Sequence, residues 1–140
     1  MVKYEEIKEI LMRTFNDLTN YKIDCIPVGS NSIDDKIYCL RIFYENSKRD
    51  KPEQYSKEVQ KIASQIAKIK ISDDNNNENN RNFKNLTLPE FEMPSDGCVG
   101  LFEFSSKISL DDLKKYFETI KNHLNDYKNN NSQKKSLFDF

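Results

Sequence analysis

The sequence predicts an α+β domain in which one four-stranded, mainly antiparallel sheet packs against helices. Three segments repeat their apolar residues at spacings of three and four, which is typical of amphipathic helices, and short β-rich stretches lie between them. The order along the chain is α-β-β-α-β-β-α, and two αββ units favour a single sheet covered by helices. At 140 residues, the chain has the length of one domain.

The first half of the chain predicts one helix and two strands. Residues 3–19 are amphipathic, and their apolar side consists of Ile7, Leu11, Phe15 and Leu18. Alternation predicts a strand over Tyr21–Ile26, and the composition of Gly29–Ser32 predicts a turn. The stretch Lys36–Tyr44 is apolar on both faces, which is typical of a central strand.

The second helix is predicted to begin at Asp50–Glu53. Asp50 is an acidic N-cap, Pro52 lies in the first turn, and Glu53 follows three residues after the cap. The apolar face of this helix consists of Tyr55, Val59, Ile62, Ala63 and Ile66. The polar, Asn-rich residues 73–82 have no apolar face to bury, so they predict a disordered loop within the domain.

The second pair of strands is predicted to be a hairpin. Phe83–Phe91 and Cys98–Phe104 flank the turn-forming sequence Met93–Gly97. Ser109 then caps the last helix, whose buried stripe is Leu113, Phe117, Ile120, Leu124 and Tyr127. The sequence therefore predicts a single α+β domain over residues 1–127, followed by a disordered, flexible tail over residues 128–140.

Composition excludes several classes of protein. Twenty-two basic and 23 acidic residues give a net charge of −1, which argues against non-specific binding to DNA or to acidic membranes. The stretch Ile37–Phe43 has the length of a strand and is interrupted by Arg41, so no membrane span is expected. Three cysteines without a CxxC pair favour buried thiols, and we expect a cytoplasmic protein with no membrane partner.

Residues that carry chemistry are few, and we expect no enzyme, no metal and no cofactor. His123 lies at the edge of the last helix's apolar stripe, where a half-buried structural role is expected. The pair Asp34–Asp35 is predicted to form a solvated hairpin turn. With only three glycines, neither GxGxxG nor a P-loop is present.

A basic helix face is the one feature that points to nucleic acid. Between Lys48 and Lys70 there are seven basic and three acidic residues, and Lys57, Lys61 and Lys68 share one side of the predicted helix. A weak contact with nucleic-acid phosphates and an ordinary solvated face both fit this pattern.

The end of the sequence is its most specific feature. After the polar residues 128–136, the chain ends in Leu137-Phe138-Asp139-Phe140. Large apolar side chains at the end of a polar tail are unfavourable in water, so we expect them to dock on their own domain or on a partner.

Residues Lys134–Phe140 resemble the PIP box, the motif by which replication and repair proteins bind the PCNA sliding clamp. Leu137 matches the aliphatic position of that motif and Phe140 matches its first aromatic position. Lys134 stands where the family has Gln, and the sequence ends before the second aromatic. Ser136–Phe138 also resembles the end of the bacterial clamp-binding pentapeptide, without its preceding Gln-Leu.

The resemblance implies a non-enzymatic accessory or adaptor protein of DNA replication or repair. Leu137, Phe138 and Phe140 would anchor the tail in the clamp, and Lys134 and Lys135 would meet acidic groups around the clamp pocket. A second replication or repair protein is the further expected partner, with weak DNA contact through Lys57, Lys61 and Lys68, and association with the nucleoid or chromatin through the clamp.

Two alternatives stay open on the sequence. One is a small chaperone-like or inhibitory protein-interaction module with a self-docking tail and no link to the clamp. The other is a DNA-processing enzyme tethered to the clamp.

Overall fold

The computed structural model confirms the predicted fold class and element order. It describes residues 1–45, 52–71, 82–87 and 97–138, with side chains described over 1–45, 56–71, 82–87 and 97–125. The elements are α1 (Tyr4–Phe15), β1 (Tyr21–Ser32), β2 (Asp35–Tyr44), α2 (Pro52–Ala67), β3 (Phe83–Asn85), β4 (Cys98–Ser105) and α3 (Leu110–Phe138). The four strands form one antiparallel sheet in the order β1-β2-β4-β3.

All three helices pack on the same face of the sheet. Tyr4 of α1 stacks on Tyr38 of β2 with ring centroids 5.8 Å apart. A Cβ atom built on Gly100 of β4 would lie 3.1 Å from Cγ2 of Ile66 in α2, so α2 approaches the backbone of the sheet closely. Phe117 of α3 packs edge-on against a β4 ring of the same face. The fold is therefore a two-layer structure.

An aromatic cluster forms the centre of the core. The rings of Phe83 and Phe104 stack at 5.5 Å, and Tyr116 of α3 lies 4.9 Å from Phe83. Phe15 at the end of α1 reaches Phe117 across the helix layer at 5.7 Å. Ring pairs at these separations stabilise a core beyond the area that they bury.

Helix α1 is shorter than predicted, and its apolar side is slightly rotated. It ends at Phe15, and its buried residues are Ile7, Ile10 and Phe15. Leu11 is only partly buried, whereas Leu18 is buried after the helix has ended. Neighbouring residues on the apolar side of a helix differ only by a small rotation around the helix axis. The packing of α1 against α3 and β1 therefore determines which of these side chains is buried.

The predicted turn at Gly29–Ser32 is wrong. Strand β1 continues to Ser32, and the chain reverses at Ile33 and Asp34. Two register shifts, between Pro27 and Gly29 and between Ser30 and Ser32, add a residue to β1 each time without ending the strand. Bulges of this kind accommodate turn-forming residues inside a strand, so composition alone misplaces the turn.

The second half of the chain agrees with its predicted elements. Helix α2 begins at Pro52 and buries Val59, Ile62 and Ile66, while Asp50, Lys51 and the side chain of Tyr55 lie outside the described residues. The backbone N–H of Asp112 donates to Ser109 Oγ at 3.1 Å, which confirms the cap of α3. Strands β3 and β4 pair as predicted, but residues 88–96 of the predicted hairpin and residues 73–81 of the predicted loop lie outside the described part.

Helix α3 extends beyond the predicted end of the domain at Tyr127. Its buried side chains include Leu113, Phe117, Ile120 and Leu124, and its backbone continues as a helix to Phe138. Over the residues that the structure describes, no helix combines the length and apolar character needed to cross a membrane.

Candidate functional site

Catalytic and metal-binding groups do not converge in the described part of the chain. No group of three or more His, Cys, Asp or Glu side chains there is placed to hold a metal ion. His123 was predicted to be half-buried, but it is exposed on α3. The helix directs residue 123 away from the buried stripe, because Ile120 and Leu124 face the core.

The prediction that Asp34 and Asp35 form a solvated turn is wrong for Asp35. Its side chain is only 9% exposed, whereas Asp34 is exposed in the turn itself. Ser105 Oγ donates to Asp35 Oδ1, and Asn31 Nδ2 donates to Oδ2 at 3.1 Å. These hydrogen bonds, first from Ser105 and then from Asn31, hold the pKa of Asp35 below its usual value. Asp35 therefore ties the β1–β2 hairpin to the end of β4.

The three cysteines are reduced thiols in the described structure. Cys25 and Cys39 are buried, as expected, and Cys98 is partly exposed. Burial raises the pKa of Cys25 to about 12, and burial also raises the pKa of Cys39 against the opposing effect of Arg41. High thiol pKa values disfavour the reactive thiolate, so Cys25 and Cys39 fit packing roles.

A cleft of about 360 Å³ lies between α1 and the first turns of α3. Three glutamates, one arginine and one lysine line it together with Ile10, Thr14 and Leu110. The charges are of mixed sign and exposed to water, and none belongs to a hydrogen-bonded catalytic arrangement in the described residues. The cleft therefore indicates no particular ligand.

The predicted nucleic-acid contact residues lie on the outside of α2 and in the turn that follows it. Lys57 and Lys61 are exposed on the side of the helix opposite to its buried stripe, and Lys68, directly after the helix, is exposed as well. Glu58 is turned toward the sheet, where its Oε2 accepts a hydrogen bond of 2.9 Å from the Tyr44 hydroxyl. The exposed side of α2 is therefore positively charged over its described residues.

Four of the predicted clamp-binding residues fall in the last turns of α3. The backbone of Lys134, Lys135, Leu137 and Phe138 is helical, but their side chains lie outside the described set, as does the whole of Phe140. Leu137 comes 13 residues after Leu124, the last buried residue of α3 among those described. At ~1.5 Å per residue, that separation is about 20 Å along a helix.

The second face of the sheet carries no described helix and was not singled out from the sequence. Register places Arg41 opposite Asp24 on this open face, with Phe43 beside them. Arg41 forms a bidentate pair with Asp24, donating from Nε at 2.8 Å and from Nη2 at 2.6 Å, and its guanidinium lies 5.2 Å from the Phe43 ring centre. Both charged side chains are about one-third exposed.

Along the middle of the open face, charge alternates from one edge of the sheet to the other. In strand order these four side chains are Asp24 on β1, Arg41 on β2, Glu103 on β4 and Lys84 on β3, while Lys22 lies beside Phe43 toward one end of the face and Asp35 lies at the other end. Lys84 and Glu103 are register partners, as Asp24 and Arg41 are. The interruption of the apolar stretch by Arg41 was the visible signal in the sequence, but the series emerges only when strand order and register are known.

Comparison of the chain with protein-family models, curated proteins and solved structures finds no match.

Proposed function

We propose that this protein is a non-enzymatic adaptor of DNA replication or repair that binds a sliding clamp through Lys134–Phe140. The observation that carries the proposal is the position of this segment on α3. Leu124 is the last buried residue of α3 among the described side chains and the helical backbone continues to Phe138, so Leu137 lies about 20 Å further along the helix axis. That separation supports the proposal that the segment is accessible to a partner.

The chemistry of the segment suits a reversible contact. Leu137 and Phe140 are three residues apart, so one helical turn brings them to the same side. Burying side chains of this size contributes roughly 1.5–3 kcal/mol each before the cost of ordering the segment. Two anchors with Phe138 beside them and two lysines at the rim fit an affinity in the micromolar range.

Titration calorimetry with the full chain tests the proposal. A PCNA-type trimeric ring and a bacterial ring clamp are titrated separately, because the segment resembles the motifs of both. We expect the double substitution Leu137→Ala/Phe140→Ala to weaken binding by at least ~100-fold, while Asn129→Ala/Asn131→Ala, upstream in the same helix, leaves it unchanged.

Two results would count against the proposal. If neither ring binds the wild-type chain, or if Leu137→Ala/Phe140→Ala binds as well as wild type, the clamp is not the partner. A loss of thermal stability in that variant without any clamp binding would instead favour a segment docked on its own domain.

A second contact, with duplex DNA, fits the exposed face of α2. Lys57, Lys61 and Lys68 are exposed together, and Glu58 is directed toward the sheet by its hydrogen bond with Tyr44. An adaptor on a clamp lies beside DNA, and each lysine that neutralises a phosphate makes the slope of log affinity against log salt more negative by ~0.9. For three lysines the wild-type slope should therefore be about −2 to −3.

Fluorescence anisotropy with a labelled duplex measures this contact. The variant Lys57→Glu/Lys61→Glu/Lys68→Glu should lose binding. The control variant Lys3→Glu/Lys114→Glu/Lys115→Glu, which changes three exposed lysines on α3 and before α1, should keep it. Equal loss in both variants would show a dependence on net charge alone, and the α2 face would then be an ordinary solvated surface.

A further inference from the structure

The open face of the sheet departs from the pattern expected of a face in water. Antiparallel sheets with one solvated face normally alternate apolar residues inward with polar residues outward. On this face, β2 instead presents Ile37, Cys39 and Phe43 around Arg41, with the carboxylate of Asp35 at the end of the strand. Partly buried apolar side chains continue on both neighbouring strands, at Ile26 and Leu101.

Four charges along the middle of the open face are arranged so that this part of the face complements itself. Across the sheet their signs run minus, plus, minus, plus, from Asp24 through Arg41 and Glu103 to Lys84. A second copy placed face to face, about a twofold axis running along the strands between the copies, presents the same series in reverse order. Each of these four charges then faces the strand that carries the opposite charge of the series, whereas Lys22 and Asp35 lie toward the two ends of the face, outside the series.

The register of the strands leaves these opposed charges within reach of one another. Arg41 pairs with Leu101 across the β2–β4 ladder, so Glu103 lies two residues further along β4. Two residues of strand correspond to about 7 Å, a distance that long Arg and Lys side chains can span. Asp24 would approach Lys84 of the second copy, and Arg41 would approach Glu103 of the second copy.

The size of the face sets the strength of the contact. Four strands at ~4.8 Å spacing and seven residues of β2 at ~3.3 Å give a patch of about 19 by 23 Å. That area is smaller than the ~800 Å² per partner of a stable interface, so a reversible dimer is expected. We propose that the open face is the interface of a weak symmetric dimer, formed by two copies of this chain. This inference does not rest on clamp binding.

Charge-swap variants test the proposal. Each variant keeps the net charge of the chain and keeps opposite charges at both register pairs, Asp24 with Arg41 and Lys84 with Glu103. In Asp24→Arg/Arg41→Asp the signs run plus, minus, minus, plus, so like charges face each other in the dimer. In Lys84→Glu/Glu103→Lys the signs run minus, plus, plus, minus, with the same consequence. The variant with all four substitutions has a fully alternating series again.

Sedimentation velocity at increasing protein concentration measures the association. Wild type and the fourfold variant should both dimerise, with dissociation constants within ~3-fold of each other, whereas each twofold swap should weaken self-association by at least ~10-fold. A mixture of the two twofold variants should form a heterodimer, because their series are complementary to each other. Circular dichroism checks that every variant is folded.

Two results would overturn the proposed dimer. A wild-type chain that sediments as a monomer up to millimolar concentration overturns the proposal and leaves the face to another occupant. Twofold variants that dimerise as tightly as wild type overturn it too, because the association would then use another surface. Failure of clamp binding would affect neither outcome.

Discussion

The two faces of the sheet are formed by alternating residues of the same four strands, yet they differ in nearly every physical property. The covered face presents Leu40, Ile42, Phe102 and Phe104, all at most 1% exposed, to three helices. The open face presents a partly exposed ion pair and the half-buried side chains of Ile37 and Phe43, with the buried Cys39 between them on β2. Because side chains of a strand point alternately to opposite faces, one sequence serves both surfaces with a period of two.

The difference shows where stability and binding are located. The covered face is packed densely enough that small changes in volume matter, whereas the open face has room to accept them. We therefore expect substitutions on the covered face to act on folding, and substitutions on the open face to act on association.

Removing one aromatic ring from beneath the covered face and one from the open face should give the largest difference in the free energy of unfolding. Phe117 is fully buried beneath the sheet, so Phe117→Ala should lower the free energy of unfolding by ~3–5 kcal/mol. Phe43 on the open face is already partly exposed, so Phe43→Ala should cost only about 1 kcal/mol. Denaturant unfolding of dilute protein measures both, and equal losses would contradict the assignment of the two faces.

Glycine substitutions probe the closeness of the helix layer. A Cβ on Gly100 would lie 3.1 Å from Ile66 and 3.2 Å from Ile42, so Gly100→Val should destabilise the fold by ~1–3 kcal/mol. Gly29 on β1 has no atom within 4 Å of the same position, and Gly29→Val should change stability by less than ~0.5 kcal/mol. Thermal unfolding of the two variants decides the matter, and a tolerated valine at position 100 would show that α2 is not held against β4.

The pH dependence of stability should report the buried carboxylate at the end of the open face. The pKa of Asp35 is below its ordinary value of 3.8 in the folded state. Its contribution is therefore complete above that ordinary value and is lost as pH falls through the lower, folded pKa. Stability of wild type should fall more steeply on acidification below 3.8 than that of Asp35→Asn.

The control for this experiment is Asp34→Asn, since Asp34 lies next to Asp35 but is exposed in the turn. Denaturant unfolding from pH 6 down to acid conditions should give parallel curves for Asp34→Asn and wild type. If Asp35→Asn also follows wild type, the hydrogen bonds from Ser105 and Asn31 do not contribute to the stability of the fold.

Elements with a strong apolar period were predictable, and details that depend on register were not. The stripe Leu113–Leu124 and the face of α2 were both identified from spacing alone, because a helix repeats its buried face every 3.6 residues. The hairpin turn was misplaced because β1 absorbs its turn-forming residues in bulges. Asp35 was assigned to water because its partner Ser105 is 70 residues away in the chain.

The candidate binding surfaces also divide into those that the sequence predicts and those that depend on strand order and register. The clamp-like segment and the lysines of α2 are local patterns, visible from the sequence alone. The alternating charge series joins residues of four strands and depends on the order β1-β2-β4-β3. No local pattern predicts that order, because β2 and β4 become neighbours only when the two halves of the chain assemble into one sheet.

The number, type and order of the elements follow from local patterns in the sequence, because helix and strand periods arise from short-range geometry and from the burial of apolar side chains. Three features need the folded chain: which face of the sheet the helices cover, where the β1–β2 hairpin turns and which charges lie side by side. Those features depend on contacts between residues far apart in the chain, such as Arg41 with Asp24 and Asp35 with Ser105, and long-range packing rather than local preference selects such contacts.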